Sequence, residues 1–477
     1  MQRFNNFIDG EWIPGKGEYE NRSPSDVSDL IGIYHTGNAS DVDAAVAAAA
    51  SAQQGWAATS PEERSDILNR TGNILLSQKN ELGKLLAREE GKTLAEATGE
   101  VERAGRVFQF FAGEALRIFS EYGDSIRSGV DVRISREPLG VIGLITPWNF
   151  PIAIPAWKAA PALAFGNSVV MKPAGLTPAS AWRMTAALSE AGLPNGVFNL
   201  VMGSGRDVGE ALLSHPDIAA ITFTGSAQVG RRVAIRCAET HKKVQLEMGG
   251  KNPMIVLDDA DLDKAVRVCI NGAFAATGQR CTASSRLIVT RGAHDEFVER
   301  LVSAMQNEKV GHALAPDTTI GPAASEEQLS SNLKYVDMAR EEGAEVIGGE
   351  RLERDTEGFF QAPALFLNAR NDFRTSQEEI FGPCASVLKV DNFDEAVDLA
   401  NATTFGLSSG ICTTNLAYAS AFQRRSEAGM VMVNLPTAGV DYNVPFGGRK
   451  GSSYGPREQG GYAKEFYTSV KTSYVQA

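Results

Sequence analysis

Short apolar runs alternate with helix-length segments between Gly140 and Glu247. The runs are Val141–Ile145, Ser168–Met171, Val197–Val201, Ala219–Phe223 and Val244–Leu246. Between them lie Ile152–Ala164, Pro178–Ala191, Asp207–His215 and Ala227–Glu239. Near-continuous apolar strands separated by helices predict a parallel sheet covered on both faces. Ligands of such sheets sit beyond the carboxyl ends of the strands. Pro147-Trp148-Asn149, Lys172-Pro173 and Thr224-Gly225-Ser226 all fall at such ends. A second α/β region is predicted from Gly250 to about Asn434.

The first third reads mostly helical. Asp41–Ser60 is alanine-rich, and Ser60-Pro61-Glu62-Glu63 has the form of an N-cap with proline at the first helical position. Leu94–Ile118 carries Val101, Val107, Phe108, Phe111 and Leu116 as its apolar positions. The pattern breaks between Ile126 and Glu137, where Val132 and Ile134 alternate with Asp131, Arg133 and Ser135. That is the signature of an exposed strand, suited to an arm reaching another part of the protein or another subunit. A glycine-rich tail ends in a second alternating strand, Tyr467–Val475.

The chain has 477 residues, room for about three domains. A net charge of -12 argues against nucleic acid or anionic membrane as a partner. No apolar run approaches the roughly 18 residues of a membrane span, and Met1–Gly10 lacks a secretory signal pattern. The five cysteines are widely spaced without a CxxC pair, which suits a reducing cytoplasm. The five histidines show no ligand spacing, so no metal is expected.

Thr277-Gly278-Gln279-Arg280-Cys281-Thr282 sets a cysteine in a small, polar loop after a helix. A cysteine is ordinarily a buried small hydrophobe, and the other four read that way. Here the loop and the flanking Arg280 favour a reactive thiol, because a nearby cation stabilises thiolate. Glu247 ends an apolar strand before Met248-Gly249-Gly250. Desolvation there raises a carboxyl's pKa and suits it to act as a general base; equally, it suits a turn cap or a partner for Lys251. Asn149, between Pro147 and Pro151, offers a fixed amide donor for an oxyanion, although asparagine also simply forms turns. Phe223–Gly230 runs from strand into helix, where free N–H groups meet a pyrophosphate. It is neither GxGxxG nor a P-loop, since Arg231 and Arg232 follow Gly230.

Together these segments resemble the aldehyde dehydrogenase superfamily over essentially the whole chain. Pro147–Pro151, Lys172-Pro173-Ala174, Phe223–Gly230, Leu246–Gly250, Gly278–Cys281, Glu378–Pro383 and Pro445–Gly448 occur in the family's order and spacing. The resemblance implies Cys281 as nucleophile and Asn149, with the Cys281 N–H, as oxyanion hole. It implies Glu247 as the base that activates water, with Glu458 as a second carboxylate relaying protons. Lys172 and Glu379 match groups holding the cofactor riboses, Phe381 a nicotinamide neighbour and Ser226 a pyrophosphate contact. Trp148 and Gly225 match further cofactor-pocket positions.

The implied architecture is an α/β fold of two domains with parallel sheets plus a small β arm. The dinucleotide-binding domain would span 1–119 and 139–249, the catalytic domain 250–453, and the oligomerisation arm and tail 120–138 and 454–477. Family members of this form assemble as homodimers or homotetramers. Gly175 stands where NAD-preferring relatives often carry glutamate, so we expect use of NADP as well as NAD. Met248 replaces a common leucine, a conservative change.

Ile152–Lys158, Gln245–Pro253, Gly278–Ser285 and Arg457–Gly460 are most similar to bacterial 2-oxoglutarate-semialdehyde (2,5-dioxopentanoate) dehydrogenases. Succinate semialdehyde and sugar-derived or aromatic aldehydes are the alternative substrates. CoA-acylating relatives usually lack a carboxylate at the Glu247 position. A structural, non-enzymatic relative would be expected to lose Cys281 or Glu247. An oxo-acid substrate needs a receptor for its remote carboxylate. The resemblance puts the residue beside the nucleophile on the aldehyde tunnel, so Arg280 leads, and its planar fork can donate two parallel hydrogen bonds to a carboxylate; the alternative is that it serves the local fold or the thiolate. By the same resemblance Trp157 and parts of the helix Glu100–Gly113 line the aldehyde tunnel, and Arg103 and Arg106 on that helix are the further candidates.

Overall fold

The computed structural model describes residues 3–476. The predicted alternation builds a sheet whose centre runs, in spatial order, Lys243–Glu247, Ile218–Thr224, Val141–Ile145, Ser168–Lys172 and Phe198–Leu200, all parallel. Antiparallel strands flank it: Ser453–Tyr454 beside Lys243–Glu247, and Asn6–Ile8 beside Phe198–Leu200. Alternate side chains serve opposite faces. Val141, Val170 and Ile221 pack with Val42, Val46 and Ala49 of the helix Ala39–Ala58. Ile142, Leu144, Val169 and Met171 pack with Val101 and Phe108 of the helix Leu94–Ala115. Both faces are thus dry, which is why these strands read as continuous apolar runs.

A second sheet orders Glu345–Gly348, Ala364–Leu367, Cys384–Val390, Ser284–Thr290, Asn252–Val256, Ser408–Cys412 and Met430–Val433. All its pairings are parallel except the first. The alternating segments form a separate antiparallel sheet, with Val130–Pro138 between Thr468–Gln476 and Glu121–Asp124. The fold is therefore α/β with two largely parallel sheets and a β arm.

The helical reading of the first third needs correction at its start. The helices Ala39–Ala58, Pro61–Ser77, Lys79–Glu90 and Leu94–Ala115 are present, but five strands precede them between Arg3 and Thr36. Several are only two or three residues long, too short to display a period. The segment Asp207–His215 also differs: a wide π turn, Gly205–Gly209, precedes a short helix, Glu210–Ser214. No helix among the described residues is long and apolar enough to cross a membrane.

Candidate active site

Two loops bring the expected nucleophile and oxyanion donor together. Asn149 follows the strand Val141–Ile145 and is buried. Its side-chain Nδ2 donates to the Gln279 carbonyl at 2.9 Å, two residues before Cys281. One N–H is so occupied, and the amide has a second to donate. The nucleophile's loop leaves the helix Leu262–Phe274 through Ala276, Thr277 and Gly278, all left-handed at φ 50, 57 and 64. Such backbone in two non-glycine residues is costly and persists only when its surroundings dictate it. Here they do. Glu96 accepts from the Ala276 N–H at 2.8 Å, and Thr277 Oγ1 donates to the Gly321 carbonyl at 3.0 Å. A Cβ on Gly278 would meet the Gly382 carbonyl oxygen at 2.1 Å, so only glycine fits.

Cys281 opens onto a cleft with about 670 Å³ of empty space, also lined by Trp148, Asn149, Gly225, Ser226, Glu379 and Phe381. Seven of the expected site residues therefore share one cavity, at the carboxyl ends of the first sheet's strands. Trp148 meets Phe381 edge-on, with ring centroids 5.3 Å apart. Phe381 is itself left-handed at φ 62, and its carbonyl accepts from Gln328 Nε2 at 3.1 Å. Gln328 lines the same cleft; nothing in its helical sequence context announces it.

The walls suit a dinucleotide. Ser226 caps the helix Ala227–Glu239, so that helix presents its positive end to the cleft. The buried Thr224 hydroxyl has no partner among the described residues. Glu379 accepts from the Gly250 N–H at 3.0 Å, and a Cβ on Gly249 would meet Glu379 Oε2 at 2.0 Å, so the carboxylate lies directly over glycine backbone. Burial pushes Glu379 up to about 7. Lys172 lies outside the lining; its ammonium donates to the Pro173 carbonyl at 2.8 Å, and burial pushes it down to about 8. Gly175 is exposed, with open space where a side chain would stand.

Behind the cleft lies a group of buried charges. Glu247 is not among the cleft's lining; its carboxylate accepts from the Ser453 hydroxyl. A Cβ on Gly447 (φ 144) would meet Glu247 Oε1 at 2.6 Å, so glycine leaves that oxygen its space. Burial first, and the charge of Glu458 second, push Glu247 well above the usual carboxylate range. Glu458 is buried and ion-paired with the fully buried Lys158, which also donates to Thr222 Oγ1 at 2.7 Å. Burial, helped by Glu379 and Glu247, pushes the Cys281 thiol up to about 12, while the N–H groups of Thr282 and Cys281 oppose this.

The arginines separate. Arg280 does not enter the cleft: its guanidinium donates to the carbonyls of Asn271 and Gly272, at the end of the helix Leu262–Phe274. It thereby satisfies carbonyls a helix end leaves unpaired, and the expectation that it receives the substrate's acid is withdrawn. Arg106 lies on the solvent face, 4.0 Å from Glu102, and is likewise withdrawn. Arg103 turns inward. Its guanidinium carbon lies 5.7 Å from the Trp157 ring centroid, and its Nη2 donates to Gln459 Oε1 at 3.2 Å. Trp157 packs on Phe446 at 5.5 Å, and Cys281 packs against the cluster containing Phe446. Arg103 Nε, Trp157 Nε1 and Gln459 Nε2 are all buried without a hydrogen-bond partner among the described residues, and the three side chains stand behind the cleft's lining rather than in it. Gln459 holds φ 60 and ψ 174, backbone that only glycine adopts freely.

The aldehyde dehydrogenase family's sequence profile matches residues 12–473, and the chain belongs to that family. It is 43% identical to the alpha-ketoglutaric semialdehyde dehydrogenase of Bacillus subtilis (strain 168), over 99% of this chain and 98% of that one. An NAD-dependent aldehyde dehydrogenase from Sinorhizobium meliloti superposes with a TM-score of 0.97 at 35% identity, covering 100% of this chain and 95% of its own. An NADP-dependent enzyme of E. coli superposes at 0.96 with 35% identity, covering 100% and 98%. The protein is thus an oxidoreductase of the aldehyde dehydrogenase class, whose members use a nicotinamide dinucleotide.

Proposed function

We propose that this enzyme oxidises an oxo-acid semialdehyde, with 2-oxoglutarate semialdehyde the leading case, to the corresponding dicarboxylate. The carrying observation is the corner formed by Arg103, Trp157 and Gln459. Three buried donors without partners in one aromatic-walled place are unfavourable unless something accepts from them. A carboxylate several atoms from the aldehyde meets that requirement, and the named activity of the B. subtilis relative agrees.

The reaction follows from the residues in hand. The Cys281 thiol gives up its proton to solvent and adds as thiolate to the aldehyde carbon, and the resulting alkoxide is held by the second N–H of Asn149. When bound, the nicotinamide supplies the acceptor for the hydride leaving that carbon. Glu247 then draws a proton from water that attacks the thioester carbonyl, releasing the acid and restoring the thiol. Ser453 holds Glu247 back from the cleft, so the carboxylate must swing forward for this step. Its presence supports hydrolysis over transfer to CoA. Open space at Gly175 supports use of NADP alongside NAD. The arm exposes Tyr122, Ile126, Val470 and Tyr474, a surface suited to a second copy of the chain and hence to a homodimer or homotetramer.

Arg103→Leu tests the substrate assignment. A charge-assisted hydrogen bond contributes about 1.5–3 kcal/mol, roughly ten- to 150-fold in binding. KM for the oxo-acid semialdehyde should rise by that order, while a neutral aldehyde of similar length is spared. Equal losses on both substrates would end the assignment.

A further inference from the structure

Lys92 is buried between the helices Lys79–Glu90 and Leu94–Ala115. Its ammonium donates to the backbone carbonyl of Asn149 at 2.7 Å and to Glu100 Oε2 at 2.7 Å. It also lies 4.0 Å from the centroid of the Phe150 ring. Glu100 is equally buried, and its other oxygen accepts from the N–H groups of Ile152 and Ala153, both at 3.1 Å. One ion pair therefore grips the Asn149 loop at two places, the Asn149 carbonyl and the backbone entering the next helix. Glu90 stands 3.9 Å from the same ammonium, giving the pair an acidic surround.

Such a pair is a poor choice for stability alone. Desolvating two charges costs several kcal/mol, and apolar replacements of similar volume are often no less stable. What the pair does supply is direction. Lys92 reaches the main chain of the very residue whose side chain bonds the nucleophile's loop, and the same helix carries Glu96, which holds Ala276. One helix start thus fixes both partners of the reacting centre.

We propose that Lys92 and Glu100 are positioning residues for aldehyde oxidation. They hold the Asn149 main chain so that its second amide N–H presents to the oxygen of the adduct on Cys281. The inference rests on Asn149 as the oxyanion donor. Misplacing a donor by about an ångström costs up to roughly a hundredfold in rate, so the pair acts on kcat without touching the substrate.

Two variants test it: Glu100→Asp, which keeps the charge but shortens the reach to Ile152 and Ala153, and the neutral pair Lys92→Met with Glu100→Gln. Single-turnover acylation should slow by roughly tenfold to a hundredfold in the neutral pair and by less in Glu100→Asp. Cofactor dissociation constants should stay within twofold of the parent. In an Asn149→Ala background the same changes should cost less than about threefold, because the donor they position is gone. Wild-type acylation in a folded sample of either variant overturns the proposal, as does an undiminished loss in the Asn149→Ala background. Should the neutral pair fail to fold, Glu100→Asp carries both comparisons. Asn149→Ala by itself checks the underlying reading: full activity there removes the oxyanion assignment, whereas a large loss there with silent pair variants removes only the positioning role.

Discussion

The charge of Glu458 acts on Glu247: it is second only to burial in raising that carboxyl. Lys158, paired with Glu458, and Ser453, which donates to Glu247, pull the other way. The balance sets the pH at which Glu247, the proposed hydrolytic base, is ionised.

Water activation needs Glu247 deprotonated. The deacylation rate should therefore climb with pH through a midpoint above the ordinary carboxylate range. Glu458→Gln removes the raising charge and frees Lys158, so the midpoint should move down. Ser453→Ala removes a bond to the ionised form, so it should move up. Deacylation followed by rapid-quench mass spectrometry across pH reads both, and shifts of the opposite sign would take the base role from Glu247. Breaking a buried pair costs about 3–5 kcal/mol, so Glu458→Gln should also lower Tm.

The thiol of Cys281 is pushed up to about 12, first by burial and then by Glu379 and Glu247. Without cofactor, its alkylation by iodoacetamide should keep accelerating to beyond pH 10. Glu379→Gln removes a nearby negative charge and should speed alkylation at fixed pH. A plateau near pH 8 in the parent enzyme would contradict this electrostatic picture.

The sequence reveals what periodicity and local chemistry encode. Val141–Ile145 and Ser168–Lys172 are dry on both faces, so their apolar runs mark them plainly. Arg3–Phe4 becomes a strand only because residues 33–34 come alongside, and Asn6–Ile8 pairs with Glu11–Ile13 and, through Phe7, with Leu200; two or three residues carry no period. The reacting loops are legible because their residues stand together in sequence. Lys92, Glu100, Lys158 and Ser453 act on Asn149 and Glu247 across the fold, and no local spacing joins them. Arg280 misleads for a related reason: adjacency to Cys281 fixes where its Cα lies, while its side chain follows the unpaired carbonyls of the preceding helix.

That placement of Arg280 makes a prediction. Arg280→Ala removes the bonds to Asn271 and Gly272, and losing a charge-assisted bond costs about 1.5–3 kcal/mol. Tm should fall, and kcat/KM should fall by the same factor for anionic and neutral aldehydes. A loss confined to the oxo-acid would restore Arg280 to substrate recognition and weaken the claim of Arg103.

The proposed use of NADP beside NAD rests on Gly175. A carboxylate there would accept from an adenosine ribose and repel a 2′-phosphate. Its absence leaves open space and one negative charge fewer near Lys172. Burial holds that lysine down to about 8, and among the described residues its one hydrogen bond is to the Pro173 carbonyl. A dianionic phosphate nearby would favour the protonated lysine, so binding NADP should raise the Lys172 pKa and take up protons at about pH 8. NAD lacks the group and should take up fewer, a difference calorimetry in two buffers of unlike ionisation enthalpy can measure. Steady-state kinetics supply the functional side: kcat/KM for NADP should lie within about a thousandfold of that for NAD, a gap of roughly 4 kcal/mol. Gly175→Glu should then shift preference toward NAD by weakening NADP, leaving kcat with NAD unchanged. A wild-type enzyme blind to NADP, or a Gly175→Glu variant that binds both cofactors as before, would show that discrimination resides elsewhere on the cleft wall.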